Sequence, residues 1–112
     1  MGKDNAQRIE LLQGTLDMLI LRILLFGPAH GHGVAKQIQR SSADVLQVDH
    51  GSLYPALHRL ARKKWISSKW ERTQAREMKF YRLTPLGRRQ LVLEQSKWRQ
   101  LAAAIARVMR PA

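Results

Sequence analysis

Cysteine is absent from the 112 residues. That excludes a disulfide scaffold and a thiolate-ligated zinc site, and it fits a reducing interior. Acidic residues are scarce, with 8 Asp and Glu against 20 Lys and Arg, a net charge of +12 and a pI near 11.4. An imbalance of this size implies a polyanionic partner, either nucleic acid or an anionic membrane surface. Long hydrophobic runs are also missing. The longest, Met18 to Phe26, is broken by Arg22 and is far too short to span a bilayer. Asp4 and Glu10 stand where a cleaved signal would be basic and then apolar, so a soluble, cytoplasmic protein is expected. No membrane partner is expected, because the basic residues concentrate within 59–89 instead of lying opposite one apolar stripe.

The carboxylates that do occur, Asp17, Asp44, Asp49 and Glu94, are scattered, and at least two of them suit cap positions. There is no Ser/His/Asp order around a nucleophile turn and no glycine loop for phosphate, so an enzyme is not expected. His30, His32, His50 and His58 raise a metal site, but His30-x-His32 chelates poorly from a turn. No cysteine or nearby carboxylate pair completes a tetrahedral set, which favours a structural or phosphate-binding role and no metal or cofactor.

What remains is one domain with 45% hydrophobic residues, enough to bury a core. A first helix is expected from about Thr15 as N-cap, with Asp17 in its first turn. Its apolar face is Leu16, Leu19, Ile20, Ile23 and Leu24, and Gly27-Pro28 stops it. After a Gly31-His32-Gly33 turn, Val34, Ala35 and Ile38 give a short second helix with Lys36 outside. Asp49 is the expected cap of a third helix, in which Leu53, Leu57 and Leu60 stack at i, i+4 and i+7. Pro55 should lie within a turn of its start. The period then changes. Residues 65–70 and 78–83 read as two strands joined by a polar, basic turn over 71–77. Three helices followed by a hairpin is the order of a winged helix-turn-helix.

Thr84-Pro85 opens a last helix, running to about Met109, on which Trp98, Leu101, Ile105 and Val108 repeat as heptad positions, widened by Leu91. At about 38 Å it is too long for three short helices to cover. Its stripe calls for a second copy of the chain, or else for folding back on the first helix. The expected class is therefore mainly α with a small β-hairpin. Residues 1–10 form a flexible N-terminus, 11–84 the winged helix-turn-helix and 85–110 a dimerisation helix.

Charge is concentrated where such a fold meets DNA. Between Arg59 and Arg89 eleven Lys and Arg face only Glu71 and Glu77, leaving +9 of the total +12 in 31 residues. The third helix opposes its leucines with Gly51, Ser52, Pro55, His58, Arg59 and Arg62: small groups that permit close approach, then cations. Arg59 and Arg62 are suited to guanine readout or to phosphate neutralisation. Tyr54, at the edge of the apolar arc, can pack or touch DNA. Lys63 and Lys64 stand where the helix dipole alone would favour cations. Lys36, Arg72, Arg76 and Lys79 are candidates for phosphate or minor-groove contacts, while Trp65 and Trp70 read as anchors of the hairpin.

Three segments carry a resemblance. Leu11-Leu12-Gln13-Gly14-Thr15-Leu16-Asp17-Met18-Leu19-Ile20-Leu21 resembles the opening motif of the PadR family of transcriptional regulators. Gly51-Ser52-Leu53-Tyr54-Pro55-Ala56-Leu57 resembles its recognition helix, and Lys79-Phe80-Tyr81-Arg82-Leu83-Thr84 the strand leaving its wing. The single C-terminal helix is similar to the compact subgroup. The resemblance implies a homodimeric winged-helix protein bound to double-stranded DNA, usually a repressor at an inverted repeat. It assigns Ser52, Tyr54 and Pro55 to the major groove, Arg76 and Lys79 to the wing, and Trp98 to the dimer helix. At Trp98 some members stack small aromatic effectors. The chain departs from the family pattern at His30-Gly31-His32-Gly33, where members often carry tyrosines, in its glycine-free wing turn, and at Met78. A winged helix that binds RNA or an acidic protein is the alternative reading of the same residues.

Overall fold

The computed structural model describes residues 9–10 and 12–111. The chain runs β1 (Ile9–Glu10), α1 (Gln13–Leu25), β2 (Ala29–His30), α2 (Gly31–Ser41), β3 (Leu46–Gln47), α3 (His50–Arg62), β4 (Ile66–Arg72), β5 (Glu77–Leu83) and α4 (Pro85–Val108). The expected hairpin is β4 and β5, paired antiparallel from Ile66 opposite Leu83 to Arg72 opposite Glu77. β2 joins the free edge of β5, placing Ala29 opposite Tyr81, so the sheet has three strands in the order β2-β5-β4. β1 pairs in parallel with β3, Ile9 beside Leu46. Residues 9 and 10 are therefore held in a strand, while the expected flexibility of 1–8 concerns residues outside those described.

Helix α1 is the central post. It buries Leu16, Met18, Ile20, Leu21, Ile23 and Leu24, wider than a single stripe. The reason is that α2, α3, α4 and β5 all pack on it. Against it come Val34 and Ile38 of α2, Leu53, Leu57 and Leu60 of α3, Ile66 and Tyr81 of the sheet, and Leu91 of α4.

Several local expectations are corrected. Helix α1 begins at Gln13 after Leu12, which offers no side-chain cap, so Thr15 lies inside the helix and Asp17 is free to look elsewhere. The Gly31-His32-Gly33 segment is the first turn of α2, not a loop before it. His30 caps that turn by accepting the Gly33 N–H on Nδ1 at 3.1 Å. Asp49 precedes α3 as expected but makes no side-chain cap bond, and Pro55 falls in the second turn rather than the first. Proline lacks an N–H, so the Gly51 carbonyl four residues back receives no helical donor. The strands reach further than the hydrophobic pattern, and the wing turn shrinks to 73–76. There Thr73 donates both its N–H (2.8 Å) and its hydroxyl (2.7 Å) to the Arg76 carbonyl, closing the turn without glycine.

The start of α4 follows its sequence. Thr84 accepts the Gly87 N–H at 3.0 Å and its hydroxyl donates to the Lys64 carbonyl at 2.7 Å, with Pro85 in the first turn. Gly87 is required for packing: a Cβ there would lie 1.9 Å from the Trp65 carbonyl oxygen. The 24-residue helix is about 36 Å long. Its first half packs on the domain and its second half runs free. Leu91, expected on the intersubunit stripe, is 3% exposed and belongs to the core of its own chain. Trp98, Leu101, Ile105 and Val108 are exposed.

Candidate nucleic-acid interface

Helix α3 presents one continuous outer face. Burial of Leu53, Ala56, Leu57 and Leu60 against α1 fixes its rotation. Gly51, Ser52, Tyr54, Pro55, His58 and Arg62 are then left exposed and Arg59 half-buried. The side chains near its N-terminus are small, so the helix backbone is accessible there. Tyr54 lies partly across the helix and packs on α2. A Cβ on Gly31 would come 3.0 Å from the Tyr54 ring, so the glycine is what lets the ring settle there. The ring's other neighbour is His50, edge-on at 5.9 Å, which in turn meets His32 at 5.7 Å. His30 stands edge-on to Phe80 at 5.7 Å. Three of the four histidines thus serve as cap or ring contacts, and among the described residues no group of His, Cys, Asp or Glu is arranged to hold a metal ion.

The wing leans over this face. Between α3 and the β4–β5 hairpin lies an open groove of about 470 Å3, into which His30, His32, Tyr54, His58, Trp70, Arg76 and Lys79 face. Glu77 is the acidic residue on its wall. On the other side of α3 a recess of about 230 Å3 gathers Gln13, Gly51, Ser52, Pro55 and Arg59. The predicted residues therefore fall into two sets flanking one helix, Tyr54, His58, Arg76 and Lys79 in the groove and Ser52, Pro55 and Arg59 at the recess. Lys36, Arg62 and Arg72 are exposed but line neither. Lys63 is engaged over the Trp65 ring at 4.6 Å, and Lys64 takes a left-handed conformation (φ 64°) as α3 ends.

Arg59 is placed differently from a free reader of bases. Its Nη2 donates to Asp17 Oδ1 of α1 at 2.7 Å, with the two side chains 25% and 14% exposed. Burial raises the Asp17 carboxyl above its ordinary value of 3.8, with a further push from Glu94. The Arg59 hydrogen bond and charge, and the Lys63 charge, pull the other way without cancelling the burial. The pair clamps the outer side of α3 to the central helix. Asp17 was not recoverable as this partner from the sequence, because 42 residues separate the two. Trp70, expected to anchor the hairpin, stands at the groove. The alternation Ile66, Ser68, Trp70 contained that signal.

A central helix, a helix-turn-helix pair and a basic wing beside an exposed, small-residue helix face define a winged-helix nucleic-acid-binding protein. The model of the PadR-like family of transcriptional regulators matches residues 20–92, well over half the chain. The protein belongs to that family: it is a DNA-binding transcriptional regulator and not an enzyme. It is similar to the PadR family transcriptional regulator of Eggerthella lenta, with 27% identity and a TM-score of 0.77 over 89% of this chain and 86% of that one. A PadR family regulator of Clostridium difficile shares 27% identity at a TM-score of 0.74, over 85% of this chain and 98% of that one. A curated relative, an uncharacterised protein of Lysinibacillus sphaericus, is 26% identical over 88% of this chain and 91% of its own length. No helix among the described residues is long and apolar enough to cross a membrane.

Proposed function

We propose that the protein is a homodimeric repressor that binds an inverted-repeat operator with α3 in the major groove and the wing on the flanking backbone. The observation that carries this reading is the face of α3. Gly51, Ser52 and Pro55 leave its first two turns open to close approach, with Arg59 and Arg62 beyond and the cationic wing alongside. Phosphate contacts from Lys36, Arg62, Arg72, Arg76 and Lys79 supply most of the affinity, and residues 51–62 discriminate bases. The free half of α4, with Trp98, Leu101, Ile105 and Val108, is the natural surface for a second copy.

Beside that stripe, Thr15, Met18, Leu19, Arg22, Leu46, Gln95, Trp98 and Arg99 line a cleft of about 350 Å3. Its walls are mostly apolar and include an indole, with Arg22 and Arg99 at hand, which supports release of DNA by a small aromatic effector stacked on Trp98. Sedimentation of the protein alone and titration of labelled duplex DNA against duplex RNA at about physiological salt test the proposal together. A dimer that prefers DNA supports it. A monomer, or equal affinity for RNA and DNA, transfers the fold to the alternative role of binding RNA or an acidic protein.

A further inference from the structure

Trp70 is the largest exposed group on the sheet, and its position follows from the register. Ile66, Ser68, Trp70 and Arg72 share one face of β4, because successive side chains alternate. Their partners on β5 are Leu83, Tyr81, Lys79 and Glu77. At the base of the wing this face closes the core, through Ile66 and Tyr81, both at most 5% exposed. One residue pair beyond Tyr81 the same face has left the core behind, and Trp70 is 62% exposed. It borders the groove that His58 and Tyr54 of α3 also line, together with the wing cations Arg76 and Lys79. Lys79 Nζ stands 6.0 Å from the Trp70 ring and 5.9 Å from the Tyr81 ring, spanning the two.

We infer that Trp70 is a DNA-contacting residue of the wing, its indole lying on the deoxyribose and backbone edge of the duplex while Lys79 and Arg76 take the neighbouring phosphates. The inference rests on the DNA-binding reading above. At 62% exposure the indole adds little to the core, since the sheet face it continues has already delivered its core contacts at Ile66 and Tyr81. Flanked by cations in a groove with one acidic residue, it forms the mixed aromatic and basic surface that suits a sugar–phosphate chain. The contact is apolar and sequence-tolerant. It raises affinity on any duplex and releases no counterions.

The test compares wild type, Trp70→Ala, Trp70→Phe and Arg76→Ala on a labelled random-sequence duplex of about 30 base pairs, roughly three helical turns. Affinity is measured over a series of salt concentrations. Trp70→Ala is expected to bind about tenfold more weakly with an unchanged salt slope, and Trp70→Phe to recover part of the loss. Arg76→Ala is expected to lower the slope by about 1. Duplex addition should also quench tryptophan emission in the wild type, and this change should largely vanish in Trp70→Phe. If the wild type binds but Trp70→Ala matches it, or quenching persists in Trp70→Phe, this inference fails while the DNA-binding reading stands. If the wild type does not bind duplex DNA, both fail.

Discussion

The Arg59–Asp17 pair makes a prediction that separates a clamp from a base reader. The bond is charge-assisted, 2.7 Å long, and shielded to 25% and 14% side-chain exposure. An exposed ion pair is worth about 0–1 kcal/mol, and a hydrogen bond to a charged group about 1.5–3 kcal/mol. The partial shielding puts the coupling between these, at about 1.5 kcal/mol. Arg59 Nε is buried without a hydrogen-bond partner, a cost that replacing the residue removes, so the coupling is better read from a cycle than from Arg59→Ala alone. Arg59→Ala, Asp17→Ala and the double variant should be unfolded in urea at one protein concentration, since a dimer's stability depends on it. Each single change should destabilise by about 1–2 kcal/mol, and the double variant should fall short of their sum by about 1.5 kcal/mol.

The pH dependence reads the other influence on Asp17, its burial, which outweighs the pull of Arg59. The folded Asp17 carboxyl is raised above 3.8, so the folded state holds this proton more tightly than the unfolded chain. Its contribution to stability is thus fully present below the unfolded value and lost as pH rises through the folded one. Wild type should therefore gain stability relative to Asp17→Asn as pH falls towards the unfolded value of 3.8. Additivity in the cycle would contradict the clamp, and a relative loss on acidification would mean that the Arg59 charge outweighs the burial of Asp17.

Two other changes probe the scaffold and the free helix. Gly87→Ala places a methyl group 1.9 Å from the Trp65 carbonyl oxygen, a backbone atom that cannot swing aside. Chemical unfolding should show a loss of more than about 2 kcal/mol. A loss below about 0.5 kcal/mol would mean that the α4–β4 junction is loose. Ile105→Asp lies on the exposed half of α4. It should leave monomer helicity unchanged by circular dichroism while weakening self-association by at least tenfold in sedimentation. Unchanged association would remove that stripe from the dimer contact.

The parts of the fold readable from sequence are those fixed by local chemistry. The Thr84-Pro85 cap, the leucine stack of α3 and the change to a period-two pattern each depend on neighbours a few residues away. The failures have a common origin in contacts between distant segments. Leu91 belongs to the same apolar stripe as Trp98, and only the packing of α1 against the start of α4 assigns it to the protomer's own core. Arg59 reads as one more cation on a basic face until Asp17 is placed beside it. The third strand, β2, is two residues long and has no pattern of its own; it exists because β5 offers an unpaired edge. The site was legible in outline as a helix face and a basic wing. The groove that joins Tyr54, His58, Trp70 and Lys79 arises from the angle of the hairpin, which no local pattern encodes.

Selection of randomised duplex DNA on the purified protein at about physiological salt, followed by sequencing of the retained pool, shows whether α3 and the wing read sequence. The expected result is enrichment of an inverted repeat whose half-sites lie about one helical turn apart, lost when Ser52 and Arg62 are both replaced by Ala. Binding that disappears with added salt and enriches no sequence would contradict it, leaving the +12 charge as a generic attraction for polyanions.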